Sequence, residues 1–366
     1  MIKAARIIVG VLFIFSGLIK VNDPLGLSYK MLEFFEVWGW HFLDDYALAF
    51  ALLMNVFEVV AGIAVLVGWQ MRLFSWLLLL LIIFFTFLTG YALFSGRIKT
   101  CGCFGDCIPL TAAQSFMKDL ILLVLILFIL FQHKKIKPLF STKIAIAILI
   151  IGASLSSVAQ AYVLQYLPVV DCLPYKVGNN ILKQMQIPEG ATADSMVLTF
   201  KYKYKGAMVE FDAANFPEDF NDSTYEFVDR FDKLVRKGNA VKPIPDFSLT
   251  TPTGLDSTLQ VLNTNRYLML MVKDFSDYNE WKLDFKEVLT TCKQKQIPVI
   301  IATAATTEAL TYFNTIAGLS VLTCDVTAIK TAARVNPTYF VMQQANIEAK
   351  YSYHDINKLK KVLEKY

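Results

Sequence analysis

Histidine is almost missing from this chain. His41, His133 and His354 are the only three and lie far apart, so the sequence offers no histidine-based metal centre. Charge is scarce too: Asp, Glu, Lys and Arg make up 18% of residues, against about 25% in an ordinary soluble protein. The net charge of +4 is small, with no basic patch interleaved with aromatics, no zinc-finger spacing and no RNA-binding signature, so nucleic acid is not an expected partner. Six cysteines are few for a disulfide-built scaffold in a chain of 366 residues. The apolar runs show neither an inverted repeat nor paired broken helices, which argues against a transporter.

Apolar residues are what the chain has in excess, 55% of the total with a mean hydropathy of +0.47. They concentrate in residues 1–165, whereas residues 174–366 read as an ordinary soluble protein. Five stretches, 5–22, 46–67, 73–95, 117–132 and 143–165, read as membrane-spanning helices, which need about 20 mostly apolar residues each. The fourth is short and is expected to recruit the preceding "PLTAAQSF". The first lacks a small-x-small cleavage site before Lys20, so it reads as a retained helix rather than a signal peptide.

Basic residues set the expected orientation. Lys3 and Arg6, then Arg72, then Lys134, Lys135, Lys137 and Lys143 fall on alternate links, which the positive-inside tendency assigns to the cytoplasm. An odd number of spans then sends the C-terminal part to the external side, so the expected topology is multi-pass with a cytoplasmic N-terminus and an external C-terminal domain. Residues 27–43, "LSYKMLEFFEVWGWHFL", read as an interfacial helix or lid, or else as a simple connecting loop. Glu58 lies inside the second span, where an acid is costly and faces a bundle interior or cavity. Lys20, Ser16, Thr86 and Thr89 are its candidate partners. A quinone or proton site is one reading of Glu58 and a structural ion pair is the other. Gly62 and Gly68 are expected to allow close helix contact.

Past the membrane, "MVLTFKYKYKGAMVEFD" predicts a hairpin turning at Lys205-Gly206, and 215–235 predicts a loop running into a short helix. From Lys242 the pattern predicts a first hairpin in "PIPDFSLTTPTGLDST", then strand, helix, strand, helix, strand, short helix, a hairpin and a terminal helix. Parallel strands need such helical crossovers. The expected division is a transmembrane domain at 1–170, a neck with a hairpin-bearing insertion at 171–241, and an α/β domain at 242–366.

That order resembles the thioredoxin-like fold of peroxiredoxins and thiol–disulfide exchange proteins. "NPT" at Asn336, Pro337 and Thr338 matches the place of that fold's cis-proline. The departure lies after "YLMLMVKD", where the fold's Cys-x-x-Cys is replaced by "FSDYNEW", which contains no nucleophile. Residues 1–178 resemble the DoxX-like and MauE-like membrane families in three features. These are "RIIVGVLFIFSGLIKVNDPLG", the spacing of Glu58, Gly62 and Gly68, and "CGCFGDC" after the third span. "LPVVDCLPYKVGNNI" resembles Bacteroidetes-type members with a periplasmic extension. The resemblance implies sulfur or quinone chemistry, or a part in protein maturation where disulfides form.

Cys101, Cys103 and Cys107 are expected on the same face of the membrane as Cys172. Three pairings present themselves: Cys103–Cys107, Cys101–Cys172 and Cys103–Cys172. Arg97 and Lys99 would lower a nearby thiol pKa, and Asp106 would oppose them. The four cysteines read either as a redox relay exchanging electrons with a quinone or as structural staples; their spacing is not a standard metal-site spacing. Cys292 and Cys324 read as inert core residues. The leading expectation is a membrane thiol–disulfide oxidoreductase, quinone-coupled through the region of Glu58 and acting on exported proteins or a periplasmic partner. The alternative is a non-catalytic subunit of an envelope complex, embedded in membrane lipid, whose degenerate thioredoxin-like domain binds a partner protein.

Overall fold

The computed structural model describes residues 1–366 except 96, 97, 99–101, 103, 193, 194, 213, 214, 218, 219, 222, 237, 239, 246, 315 and 366, and except the side chains of 233–236. Its first half is a helical bundle: α1 (Ile2–Asn22), α2 (Pro24–Trp38), α3 (Ala47–Val67), α4 (Met71–Ser95), α5 (Ala112–Phe131) and α6 (Thr142–Tyr166). All but α2 are long and apolar enough to cross a membrane, five helices as the sequence predicts. α5 starts five residues earlier than its apolar core because Thr111 caps it. The Thr111 hydroxyl accepts from the Gln114 N–H at 3.2 Å, and the Gln114 side chain accepts from the Thr111 N–H at 3.0 Å.

Within residues 27–43 the chain is helical as far as Trp38, not a simple loop. Asp23 caps α2 by accepting from the Gly26 N–H, Pro24 occupies the first turn, and Gly39 ends the helix in the left-handed region. A 3-10 turn at His41–Tyr46 then leads into α3. α1 and α3 press together through glycines: a Cβ on Gly62 would sit 2.8 Å from the Gly10 carbonyl oxygen. Gly68 has a different role from the expected one. With φ of +76° it is the left-handed cap that terminates α3.

The neck carries α7 (Ile181–Gln184) and leads to a three-stranded antiparallel sheet ordered β2-β1-β3. β1 (Ser195–Tyr204) and β2 (Ala207–Asp212) form the expected hairpin, with Lys205 and Gly206 at φ of +48° and +83°. β3 (Tyr225–Arg236) corrects the expectation of a loop and short helix. Its alternation is hidden in the sequence because the β1–β3 ladder shifts register between Lys201 and Tyr202, breaking the two-residue period.

The remaining chain contributes β4 (Leu249–Thr250), α8 (Thr258–Leu262), β5 (Arg266–Val272), α9 (Tyr278–Gln294), β6 (Val299–Thr303) and α10 (Thr306–Phe313). β7 (Leu319–Cys324), α11 (Val326–Ala332), β8 (Thr338–Gln343), β9 (Asn346–Ser352) and α12 (Ile356–Leu363) follow. The sheet runs β4-β7-β6-β5-β8-β9, with β5, β6 and β7 parallel and the rest antiparallel. This is a thioredoxin-like arrangement. The expected first hairpin shrinks to the two residues of β4, joined to Asp256 by a single bridge. β5 is buried on both faces: Tyr267, Met269 and Met271 enter one core, and Leu268, Leu270 and Val272 enter the other with Trp281 and Phe285. The Asn336–Pro337 bond is cis, at the place expected for it.

Candidate functional site

The bundle and the α/β domain meet at one end of the helices, where the α1–α2 turn, the loop before α5 and the neck after α6 come together. Gly102 and Gly105, both with positive φ, fold the loop into a turn closed by a hydrogen bond from Gly105 N–H to the Gly102 carbonyl at 3.0 Å. Phe104 tucks down against Phe15 and lies 5.3 Å from the Lys118 ammonium. The neck is pinned by Asn22, whose side chain both donates to the Val170 carbonyl at 2.8 Å and accepts from the Val170 N–H at 3.0 Å.

Between these two anchored segments Cys107 and Cys172 form a disulfide, their Cα atoms 4.8 Å apart. Spacing alone suggested three other pairs, and each of them needs one of these two sulfurs. Cys107 follows the turn through Gly105, and Cys172 follows the residue clamped by Asn22 by two positions. Cys101 and Cys103, with Arg97 and Lys99, lie outside the described residues. Cys292 and Cys324 are buried free thiols whose pKa values burial pushes up to about 12, which leaves them protonated and unreactive.

Each disulfide cysteine is preceded by an aspartate, and each aspartate pairs with a buried base of the α/β domain. Asp106 accepts from Nη2 of Arg334 at 2.9 Å, and Asp171 accepts from Nζ of Lys350 at 3.0 Å. The Arg334 and Lys350 side chains are only 4% and 3% exposed. Arg334 also donates from Nε to both Asp23 carboxylate oxygens, at 2.9 and 3.0 Å, and from Nη1 to the Lys330 carbonyl at 2.6 Å. Burial opposes its charge, but Asp23 and Asp106 outweigh burial and hold its pKa above the ordinary value. For Lys350 burial prevails over Asp171 and lowers the pKa. The Ser352 hydroxyl completes the seam by donating to the Gln165 carbonyl at the end of α6.

Sequence reasoning missed Arg334 and Lys350. The available signal was the repeated Asp-Cys dipeptide, together with an arginine directly before the "VNPT" turn.

A groove of about 810 Å³ opens beside the junction, bordered by Tyr29 and Lys30 of α2, Cys172, and Thr327 and Lys330 of α11. Where thioredoxin-like folds carry their nucleophile, this chain has a hydrogen-bonded clasp. Asn336 accepts from the Lys273 N–H at 2.8 Å and donates to the Asp274 carbonyl at 2.9 Å.

Glu58 finds two of its four candidate partners. Lys20 Nζ lies 2.5 Å from one carboxylate oxygen and the Ser16 hydroxyl donates to the other at 2.9 Å. Thr86 and Thr89 bond the carbonyls one turn back instead, and Thr89 also donates to Asp119 at 3.1 Å. Asp119, absent from the sequence reading, pairs with Lys118 at 2.5 Å. The two ion pairs border a void of about 20 Å³, roughly the room for one water. Among the described residues no group of three or more His, Cys, Asp or Glu is placed to hold a metal ion.

Comparison with known proteins divides along the same architecture. Residues 1–132 match the family model of methylamine utilisation protein MauE, and residues 196–237 match a domain of unknown function, DUF8463. Protein TlpB of Flavobacterium psychrophilum is 28% identical over 138 residues, or 36% of this chain, and the chain spans 36% of that protein's length. Similar solved structures include the thiol:disulfide interchange protein DsbE from Chlorobium tepidum (16% identity, TM-score 0.27, 33% of this chain and 93% of that one). The thio-disulfide isomerase from Thermus thermophilus aligns with 16% identity and a TM-score of 0.26 over 33% of this chain and 93% of its own. The chain thus joins a membrane domain similar to the MauE family to an extramembrane domain whose strand order is thioredoxin-like.

Proposed function

We propose that the protein is a non-catalytic envelope subunit, in which a five-helix anchor holds a degenerate thioredoxin-like domain in a set pose for a partner protein. The observation that carries this reading is the seam itself. One disulfide and two buried bases fix the domain to the bundle, while the place of the usual nucleophile, after β5, holds no cysteine. Exposed apolar side chains such as Leu80, Phe87, Leu155 and Val158 supply the lipid-facing surface. The lysines and arginines of the opposite face support an inner-membrane location with the thioredoxin-like domain in the periplasm, an oxidising compartment where a disulfide persists.

One observation favours a second reading, a thiol–disulfide oxidoreductase: Cys172 borders the groove between α2 and α11, where a client segment has room to approach. In that reading Cys101, Cys103, Cys107 and Cys172 pass electrons to a quinone near Glu58. Trapping thiols in native membranes with a mass-shifting alkylating reagent separates the two. The subunit reading expects the Cys107–Cys172 pair to stay closed whether reduced or oxidised quinone is added. Cycling of the pair with the quinone pool would overturn it in favour of the oxidoreductase.

A further inference from the structure

The two Asp-Cys dipeptides tie one covalent bond to two ion pairs. Cys107 and Cys172 are 65 positions apart, and their bond joins the loop before α5, with Asp106, to the neck, with Asp171, whose Tyr175 and Ile181 lie in the core of the α/β domain. The two carboxylates face Arg334, just after α11, and Lys350, on β9, both in the thioredoxin-like domain. Asp23 is held independently of the disulfide, as the cap of α2, and the neck is also clamped at Val170 by Asn22.

From this geometry we infer that the Cys107–Cys172 disulfide is the setting of a redox-sensitive latch: closed, it seats the thioredoxin-like domain on the membrane bundle, and opened, it loosens that domain. The opening step consumes an external dithiol. One of its thiolates attacks a sulfur of the pair, the Cys107–Cys172 bond breaks, and a mixed disulfide forms. The second thiol then resolves this intermediate, so the reagent leaves as a disulfide and the two cysteines gain two electrons and two protons. With the bond gone, the loop bearing Asp106 loses its covalent tie to the neck, which stays clamped at Val170 by Asn22. Arg334 then has to hold Asp106 on a loop no longer tied to the neck.

Linkage makes the effect reciprocal: whatever factor the disulfide adds to docking, docking adds to the disulfide. Losing docking altogether must therefore make the bond easier to reduce by that factor, and weakening the Arg334 contacts must do so by up to that factor. A plain staple behaves differently. Reducing it would loosen its own loop and the neck, together with Asn346 and Ile347 of β9 to which the neck is hydrogen-bonded, and leave α11, distant in sequence from both cysteines, unchanged. The inference does not depend on the identity or existence of a partner.

The test uses the full chain in lipid nanodiscs without partner, treated or not with dithiothreitol. Amide hydrogen exchange is read at Val326–Ala332, and the redox equilibrium of the pair is titrated with dithiothreitol for the wild type and Arg334→Gln. The latch expects exchange in α11 to rise about tenfold on reduction, within the 5–150-fold span usual for coupled sites. It also expects Arg334→Gln to shift the redox equilibrium toward the dithiol, by no more than that factor. Faster exchange confined to the loop, the neck and β9, or an unshifted equilibrium in a folded Arg334→Gln, overturns it. If Arg334→Gln does not fold, exchange in the wild type decides alone. A partner-binding subunit with a rigid seat would fail this test and still satisfy the thiol-trapping assay, so the two proposals fall separately.

Discussion

Arg334 and Asp23 stand 311 positions apart in the chain, yet one guanidinium nitrogen reaches both carboxylate oxygens, at 2.9 and 3.0 Å. The arginine follows α11 in the thioredoxin-like domain and the aspartate opens α2, so this ion pair, with that of Asp106, joins the two halves of the molecule. Both groups are largely shielded from water, with side-chain exposures of 4% and 14%. Removing one partner of such a pair leaves a buried charge behind. Arg334→Met is expected to lower stability by about 3–5 kcal/mol, the scale measured for broken buried pairs. Thermal unfolding in detergent checks this, and Lys282→Met, at an exposed helix position, should change little.

Lys20 and Glu58 pose the same problem inside the bundle, where each is nearly inaccessible. Glu58→Gln leaves the Lys20 ammonium without its counter-charge and is expected to cost about 3 kcal/mol or more. Combining Lys20→Met with Glu58→Leu removes both charges, so the double variant should be more stable than Glu58→Gln. A double variant as unstable as the single one would show that packing, and not charge, governs this site.

Peptide mapping of the purified chain under non-reducing conditions should recover Cys107 linked to Cys172. Replacing Cys101 and Cys103 together by serine should leave that link intact. Cys172→Ser should destabilise the chain by roughly 2–4 kcal/mol, the usual contribution of a disulfide closing a long loop.

Cys292 and Cys324 set a pH limit. Burial raises both thiols from an ordinary 9.0 to about 12, so below pH 9 they are protonated whether the chain is folded or not. Above pH 9 the unfolded chain loses these protons first, and stability must fall as pH rises toward 12. Replacing both by alanine should flatten that alkaline decline in a pH series of denaturation midpoints. In the native protein neither thiol should react with an alkylating reagent at pH 8 unless denaturant is added.

Much of the architecture was legible because its signals are local. The five spans announce themselves by length and hydropathy, and the hairpin by Lys205-Gly206 between alternating strands. The place of Pro337 was legible in "NPT", but the cis isomer of its bond was not. What escaped is non-local. β3 was hidden by a register shift that only its partner strand reveals. The choice of Cys107 depends on a glycine turn and on the clamp between Asn22 and Val170, neither visible in spacing. Arg334 and Lys350 read as surface charges until the fold brings them against aspartates more than 170 positions away.

The Cys107–Cys172 bond also encloses exactly two membrane-spanning helices, α5 and α6. Two crossings return the chain to the side it left, whereas one crossing would strand the sulfurs on opposite faces of about 30 Å of hydrocarbon. A chain that skipped one of the two crossings could not close the bond, so the closed disulfide excludes a single missed crossing.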